Sequence, residues 1–147
     1  MKVFHHEPTR DTRSLVRDLT DNRVLRNSTE LTRMVYELTA SLPRSERFGM
    51  TSQIQRASVS IPVNIAEGLG RGSPGDLELF LRIASGSVAE LFILLQLAAD
   101  IHGVTSPGVL DKLDHIKRQL ILLTRRVQAS RAKPRGKGRA AGLAPPE

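Results

Sequence analysis

The chain contains no cysteine, and aromatic residues make up only 3% of its 147 residues, with no tryptophan and a single tyrosine. Without cysteine, neither a disulfide nor a thiolate metal site can form. RRM sheets and OB-folds stack bases on aromatic side chains, which this chain barely has. The composition therefore argues against disulfide scaffolds, thiolate metal clusters and aromatic nucleic-acid platforms.

Signal sequences and long apolar runs are also missing. The N-terminal residues MKVFHHEPTRD lack the apolar stretch of a signal peptide. The most apolar segment, IASGSVAELFILLQLAA, is interrupted by Glu90 and is too amphipathic to span a bilayer. We therefore expect a soluble, cytoplasmic protein without a membrane partner. Its length is that of one domain with a core of its own.

Basic residues are in excess and are concentrated towards the C-terminus. The 22 Lys and Arg residues outnumber the 15 Asp and Glu residues, for a formal net charge of +7. No acidic residue lies between Lys117 and Arg139. Because a basic surface attracts RNA, DNA or an acidic protein face, we expect this region to bind a polyanion. The predicted nucleic-acid contacts are Lys117, Arg118, Arg125, Arg126, Arg131, Lys133, Arg135, Lys137 and Arg139.

Apolar residues recur at helical spacing in four segments, and no segment of useful length alternates as a half-buried strand does. The first segment runs from Val24 to Leu42, where the following proline should end it. The third begins with Ser73 as N-cap before a proline, includes Phe80 in its apolar seam, and has Gly103 at its C-terminal end. The second and fourth cover about residues 54–69 and 107–127.

These helices predict an all-α protein. The third would be about 43 Å long at 1.5 Å per residue. Helices of such length, joined by short Gly, Ser and Pro links, pack antiparallel to their sequence neighbours as an up-and-down four-helix bundle. We assign the bundle to residues 22–130 and a disordered basic tail to residues 131–147. Residues 1–21 form either an arm or a short extra helix, and both alternatives remain open.

Some apolar residues lie outside the core seams. Four consecutive apolar residues, Leu120 to Leu123, cover all sides of one helical turn, and Phe92 and Ile93 lie off the seam of the third helix. A helix that is apolar beyond one stripe needs a second surface to bury against. We prefer homo-oligomerisation as the explanation, with a thicker intrachain core as the alternative.

The second helix carries a polar stripe about 120° from its apolar seam. The stripe either faces solvent or forms an inter-helix hydrogen-bond network. With two apolar residues from the later helices, it makes up the predicted oligomer interface: Gln53, Arg56, Ser60, Asn64, Glu67, Phe92 and Leu122. Pro62 removes a hydrogen bond to the carbonyl of Ser58, which predicts a bend, with Ser58 and Ser60 helping to satisfy the freed groups.

No catalytic constellation is present. Gly70, Gly72 and Gly75 match GxGxxG, but a helix rather than a strand precedes them, which favours a helix-to-helix turn over a dinucleotide site. The sequence contains no Glu-x-x-His pair for a di-metal bundle site and no GxSxG nucleophile elbow. We therefore expect no catalytic residue, no metal and no cofactor.

Several motifs carry a family resemblance between Val24 and Val127. The segment LPRSERFGMTSQIQRASVSIPVNIAEGLGR, followed by FLRIASGSVAELFILLQLA, contains ERFG, SQIQRA, S-I-P-x-N-I-A-E-G and A-x-G-S-x-x-E-L in order. It resembles the four-helix-bundle family first associated with open reading frames in intervening sequences of 23S ribosomal RNA genes. That family in turn is similar to the accessory variability protein of diversity-generating retroelements.

The resemblance implies an up-and-down bundle that assembles into a ring, typically a homopentamer, without known catalytic residues. In the retroelement branch it further implies that the basic ring binds a reverse transcriptase and nucleic acid. A structural or protein-binding scaffold without a nucleic-acid role is the alternative. The chain departs from the family at Leu25, where tryptophan is frequent, and at Ser28, where alanine is common.

Overall fold

The computed structural model describes residues 22–132, and this part of the chain is entirely helical apart from its turns. It contains four α-helices and one short 3-10 turn, Arg44–Glu46. No β-strand occurs among these residues, so the predicted all-α class is confirmed. The helices are α1 (Arg23–Thr39), α2 (Met50–Gly70), α3 (Pro74–His102) and α4 (Pro107–Ala132).

Local capping interactions set the helix ends. The side chain of Asn22 accepts hydrogen bonds from the amides of Val24 and Leu25 in the first turn of α1. At the start of α3, Ser73 Oγ accepts a hydrogen bond from the Asp76 amide at 3.1 Å. Gly103 ends α3 in the left-handed conformation with φ of 66°, which favours glycine. The predicted boundaries of α3 are therefore confirmed.

The C-terminal end of α1 differs from the prediction. The helix ends at Thr39, and the next three residues, 40–42, donate backbone hydrogen bonds three positions back instead of four. Such bonds tighten the last turn into 3-10 geometry before Pro43. Leu42 is still buried, so the apolar pattern identified a core residue and overestimated the helix by three residues.

Each helix packs against its sequence neighbours, and α4 returns to α1, so the described part forms a closed square of four helices. In each adjacent pair of helices, the two helices run antiparallel, so that later residues of one helix contact earlier residues of the next. For example, Ser60 of α2 meets Ser87 of α3, and Gly68, further along α2, approaches Phe80, which is earlier in α3. This is the up-and-down antiparallel four-helix bundle that the sequence predicts.

The core consists mainly of branched aliphatic residues from all four helices. The largest fully buried side chains include Leu31, Ile61, Leu91 and Leu120. Phe80, which was predicted to lie in the α3 seam, is only half-buried, because Leu81 takes the core position. The Phe80 ring instead contacts the Arg71 guanidinium, 5.3 Å from its centroid.

Pro62 lies inside α2, which the structure shows as one uninterrupted helix. The carbonyl that loses its helical partner belongs to Ser58, and it accepts a hydrogen bond from Thr32 Oγ1 of α1 at 3.0 Å. The partner thus comes from a neighbouring helix, whereas the sequence favoured Ser58 and Ser60. Ser58 Oγ donates to the carbonyl of Gln55 instead. The bend at Pro62 stays a prediction.

Candidate nucleic-acid and oligomer interfaces

The outer side of α4 carries an exposed basic face. Lys117, Arg118, Arg125 and Arg126 are all exposed, as the nucleic-acid prediction requires. Arg118 and Arg125 are seven residues apart and therefore share one side of the helix. Leu122 lies between them and is 55% exposed. An apolar side chain thus interrupts the basic face at its centre.

Ion pairs divide the predicted basic contacts into two groups. A terminal guanidinium nitrogen of Arg118, Nη2, lies 2.8 Å from Asp114 Oδ2, and Arg131 pairs with Glu78 of α3. Arg125 and Arg126 form no ion pair within residues 22–132. Arg125 and Arg126 are therefore better placed than Arg118 and Arg131 to contact an external anion.

Arg131 has a structural role that sequence reasoning missed. It was assigned to the tail, yet α4 continues to Ala132 and Arg131 contacts Glu78, which is only 7% exposed. Glu78 Oε1 also accepts hydrogen bonds from Gln128 Nε2 at 2.9 Å and from Arg82 Nη2 at 3.0 Å.

The hydrogen bonds from Gln128 and then Arg131 are the largest causes that hold the pKa of Glu78 below its ordinary value. The carboxylate is therefore charged at neutral pH and fastens the end of α4 to the start of α3. No local motif marks this contact, since Gln128 and Arg131 lie 50 and 53 positions from Glu78. The remaining predicted basic residues, Lys133, Arg135, Lys137 and Arg139, lie outside the described residues.

The polar stripe of α2 is partly used within the chain. Ser60 Oγ and Ser87 Oγ of α3 are 2.7 Å apart, and Asn64 Nδ2 donates to the Ser60 carbonyl at 2.8 Å. Glu67 pairs with Arg71, one helical turn away, at 2.8 Å. One hydrogen bond of the stripe, between Ser60 and Ser87, therefore joins α2 to α3, and the contacts of Asn64 and Glu67 are local to α2. Gln53 and Arg56 are exposed, and the role of the stripe in assembly stays a prediction.

An apolar groove of about 380 Å³ lies between α3 and α4 on the outer surface. Phe92, which is 45% exposed, lines this groove, together with Ile93 and Ile121. Its charged lining residues are Asp114 and Lys117 of α4. The structure thus places Phe92 beside an open apolar surface. Leu122 is exposed on α4 without lining the groove.

Phe48 is the most exposed large apolar residue of residues 22–132, at 89%, and sequence reasoning did not select it. It lies in the link between α1 and α2, and the guanidinium carbon of Arg47 is 5.4 Å from its ring centroid. A phenylalanine directly after the polar residues 44–47 of this link was the available signal. The helical periodicity that identifies core residues does not apply in such a link.

The neighbouring Glu46 holds this link in place. Its Oε2 accepts the Met50 amide at 3.0 Å, at the start of α2, and its Oε1 lies 3.1 Å from His102 Nε2 at the end of α3. The backbone hydrogen bond from Met50 and then the contact with His102 hold the pKa of Glu46 below its ordinary value. One carboxylate therefore connects the link to two helices.

The glycines of the GxGxxG match lie at the junction of α2 and α3, with Gly72 in the left-handed region at φ of 73°. This geometry is that of the predicted helix-to-helix turn. Within residues 22–132, no three His, Asp or Glu side chains are grouped as metal ligands. In the same range, no helix combines the length and apolarity that crossing a membrane requires.

Comparison with known proteins identifies the fold family. The profile of the 23S rRNA-intervening sequence protein family matches residues 20–123, which is more than half of the chain and covers α1, α2, α3 and most of α4. The search of curated proteins returned no match. The chain therefore belongs to the 23S rRNA-intervening sequence protein family.

Proposed function

We propose that this chain is a non-enzymatic, homo-oligomeric bundle that binds RNA or DNA through α4 and the basic residues that follow it. The observation that carries this proposal is the exposed basic face of α4, in which Arg125 and Arg126 have no ion-pair partner within residues 22–132. Contacts between such side chains and phosphates give affinity that tolerates different sequences and falls with salt.

We further propose a pentameric ring as the assembled state and a reverse transcriptase as its partner. Support comes from the resemblance of this family to the accessory variability protein of diversity-generating retroelements. The exposed apolar residues Phe92 and Leu122, and the exposed members of the α2 stripe, are surfaces that a neighbouring copy would cover. A reverse-transcriptase gene beside template and variable repeats would favour this role, and the absence of that gene would oppose it.

The nucleic-acid proposal is tested with Arg125→Ala/Arg126→Ala and structured RNA at several salt concentrations. The variant should bind more weakly, and the slope of log affinity against log salt should fall by about 2, since two phosphate contacts are lost. Arg26→Ala/Arg33→Ala is the matched control, because both arginines are exposed on α1. An equal effect of both double variants would show that only net charge matters.

A structural or protein-binding scaffold is the second candidate function. Two observations favour it: Arg118 and Arg131 are engaged in ion pairs within the chain, and Leu122 interrupts the basic face. A scaffold whose arginines serve stability and solubility would bind structured RNA weakly. Its weak affinity would not differ between the wild-type chain and Arg125→Ala/Arg126→Ala at any salt concentration.

A further inference from the structure

The outer side of α3 carries a second apolar seam, apart from the one that faces the core. Its Leu and Ile side chains are between 42% and 57% exposed. At about 100° per residue, they lie about 140° from the core positions of the same helix, which include Leu81 and Leu91. Successive seam positions are alternately four and three residues apart, which is the spacing of a coiled-coil contact. This outer seam consists of Leu79, Ile83, Gly86, Glu90, Ile93 and Leu97.

An exposed seam with this spacing is a site for another helix. We propose that the outer seams of two copies of the chain pair antiparallel around a two-fold axis near Val88. Leu79 of one copy then packs against Leu97 of the other. One layer closer to the axis, Ile83 packs against Ile93. This inference goes beyond the proposed function, because such an isologous contact closes with two copies, whereas a ring of five is built from heterologous contacts.

The order of side chains along the outer seam favours a second, antiparallel copy as its occupant. From either end the seam begins with Leu and continues with Ile, so reversal of one copy sets equal side chains against each other. At the centre, Gly86 faces Glu90 of the other copy. Nothing lies within 4 Å of a Cβ added at Gly86, so the aliphatic part of Glu90 has room there. In a parallel pair, the two Glu90 carboxylates would instead share one layer and repel each other.

Charged side chains beside the outer seam are complementary in the same arrangement. Arg82 and Asp100 are 18 residues apart, about five helical turns, and therefore flank the seam on one side. The side chain of Arg82 leans towards the start of α3, where it contacts Glu78, and in the antiparallel pair that direction leads to Asp100 of the other copy.

Both members of this intermolecular pair are available. The Arg82 side chain is 67% exposed, and Glu78 keeps hydrogen bonds from Gln128 and Arg131 when Arg82 turns outward. Asp100 is exposed and forms no ion pair within residues 22–132. The two-fold axis makes the contact twice, which steers the two copies into the antiparallel register.

Two single-cysteine variants of the full chain test the register, because the chain has no cysteine of its own. Gly86→Cys and Glu90→Cys both keep every Leu and Ile of the outer seam. The two proteins are mixed, oxidised mildly, and their disulfide-linked dimers are separated by mass. At micromolar protein, the disulfide between positions 86 and 90 should form on the order of 100-fold faster than either disulfide between identical positions, since the contact supplies a millimolar effective concentration. Faster disulfides between identical positions, or equal rates for all three, would overturn the antiparallel contact.

The mass of the assembly, measured by light scattering, tests the contact without cysteine. Ile93→Lys should halve this mass, because the contact joins copies in pairs. Val63→Lys is the matched control, since Val63 is equally exposed on α2 and lies outside the seam. Circular dichroism shows that both variants keep their helices. An Ile93→Lys assembly of unchanged mass would refute the pairing.

A charge swap separates the proposed ion pair from a general loss of stability. Arg82→Glu should weaken the pairing, and Arg82→Glu/Asp100→Arg should restore it. Failure of the double variant to restore the pairing would argue against this register. An oligomer that Ile93→Lys and the charge variants leave intact would overturn the α3 contact and leave the proposed ring standing. A wild-type chain that is monomeric at high micromolar concentration would overturn both.

Discussion

The hydrogen bond from Thr32 to the Ser58 carbonyl leads to a specific prediction about stability. Pro62 cannot donate to that carbonyl, and Ser58 is fully buried, so Thr32 Oγ1 supplies the missing donor from α1. The same hydroxyl lies 3.0 Å from the Ser28 carbonyl oxygen. That oxygen does not depend on the hydroxyl, because the backbone amide of Thr32 can donate to it in the regular helical pattern. Thr32→Val should therefore leave mainly the Ser58 carbonyl without a partner.

A buried carbonyl without a hydrogen bond costs about 1–3 kcal/mol, so Thr32→Val should lower the free energy of unfolding by that amount. Pro62→Ala provides a backbone N–H that can donate to Ser58 within α2. In the Pro62→Ala background, the loss caused by Thr32→Val should nearly disappear. The coupling free energy between the two substitutions should then be nearly as large as that loss, about 1–3 kcal/mol.

Urea unfolding followed by far-UV circular dichroism measures the four free energies of this double-mutant cycle. All four proteins should be compared at one concentration, since assembly also contributes to stability. If Thr32→Val costs the same with proline and with alanine at position 62, the hydrogen bond does not compensate for Pro62. A loss below about 0.5 kcal/mol in the wild-type background would also refute the reasoning, as surface substitutions have effects of that size.

Two further predictions concern α3. Gly68→Ala in α2 should destabilise the bundle by about 1–3 kcal/mol, because a Cβ at position 68 would lie only 2.8 Å from the Cβ of Phe80 in α3. Its control Gly86→Ala, where a Cβ meets nothing within 4 Å, should stabilise the chain by about 0.5–1 kcal/mol in thermal unfolding. Glu78, whose pKa is lowered by hydrogen bonds from Gln128 and Arg131, contributes stability above its unfolded pKa. That contribution should be lost as pH falls below about 4.5 through the folded pKa, and Glu78→Gln should flatten the acid limb of the stability profile. An unchanged acid limb would contradict this role of Glu78.

Most of the fold could be predicted from the sequence because its signals are local. The cap at Ser73 and the glycine at 103 act within one helical turn, so the ends of α3 agree with the prediction. The end of α1 was placed three residues too late, since the apolar period continues to Leu42 although the backbone tightens after Thr39. Periodicity identifies buried residues more reliably than it identifies helix ends.

The candidate sites were predicted less completely, because exposure and partnership depend on packing. Arg131 and Arg125 are both basic residues in the sequence, yet of the two only Arg131 pairs with a buried carboxylate on another helix, that of Glu78. Phe92 could be selected since it lies off the apolar seam of a helix. Phe48 lies in a link without periodicity, so its exposure emerged only from the structure.

By itself, the sequence determined the helical class, the antiparallel connectivity and the concentration of basic residues towards the C-terminus. Helix caps, apolar periodicity and link length depend on residues that are close in sequence, so they can be identified before the partner helix is known. Tertiary structure alone decided that Thr32 compensates for Pro62, that Arg131 holds Glu78, and that Phe48 is almost fully exposed. The first two contacts join residues 26 and 53 positions apart, and only the packing of four helices brings them together.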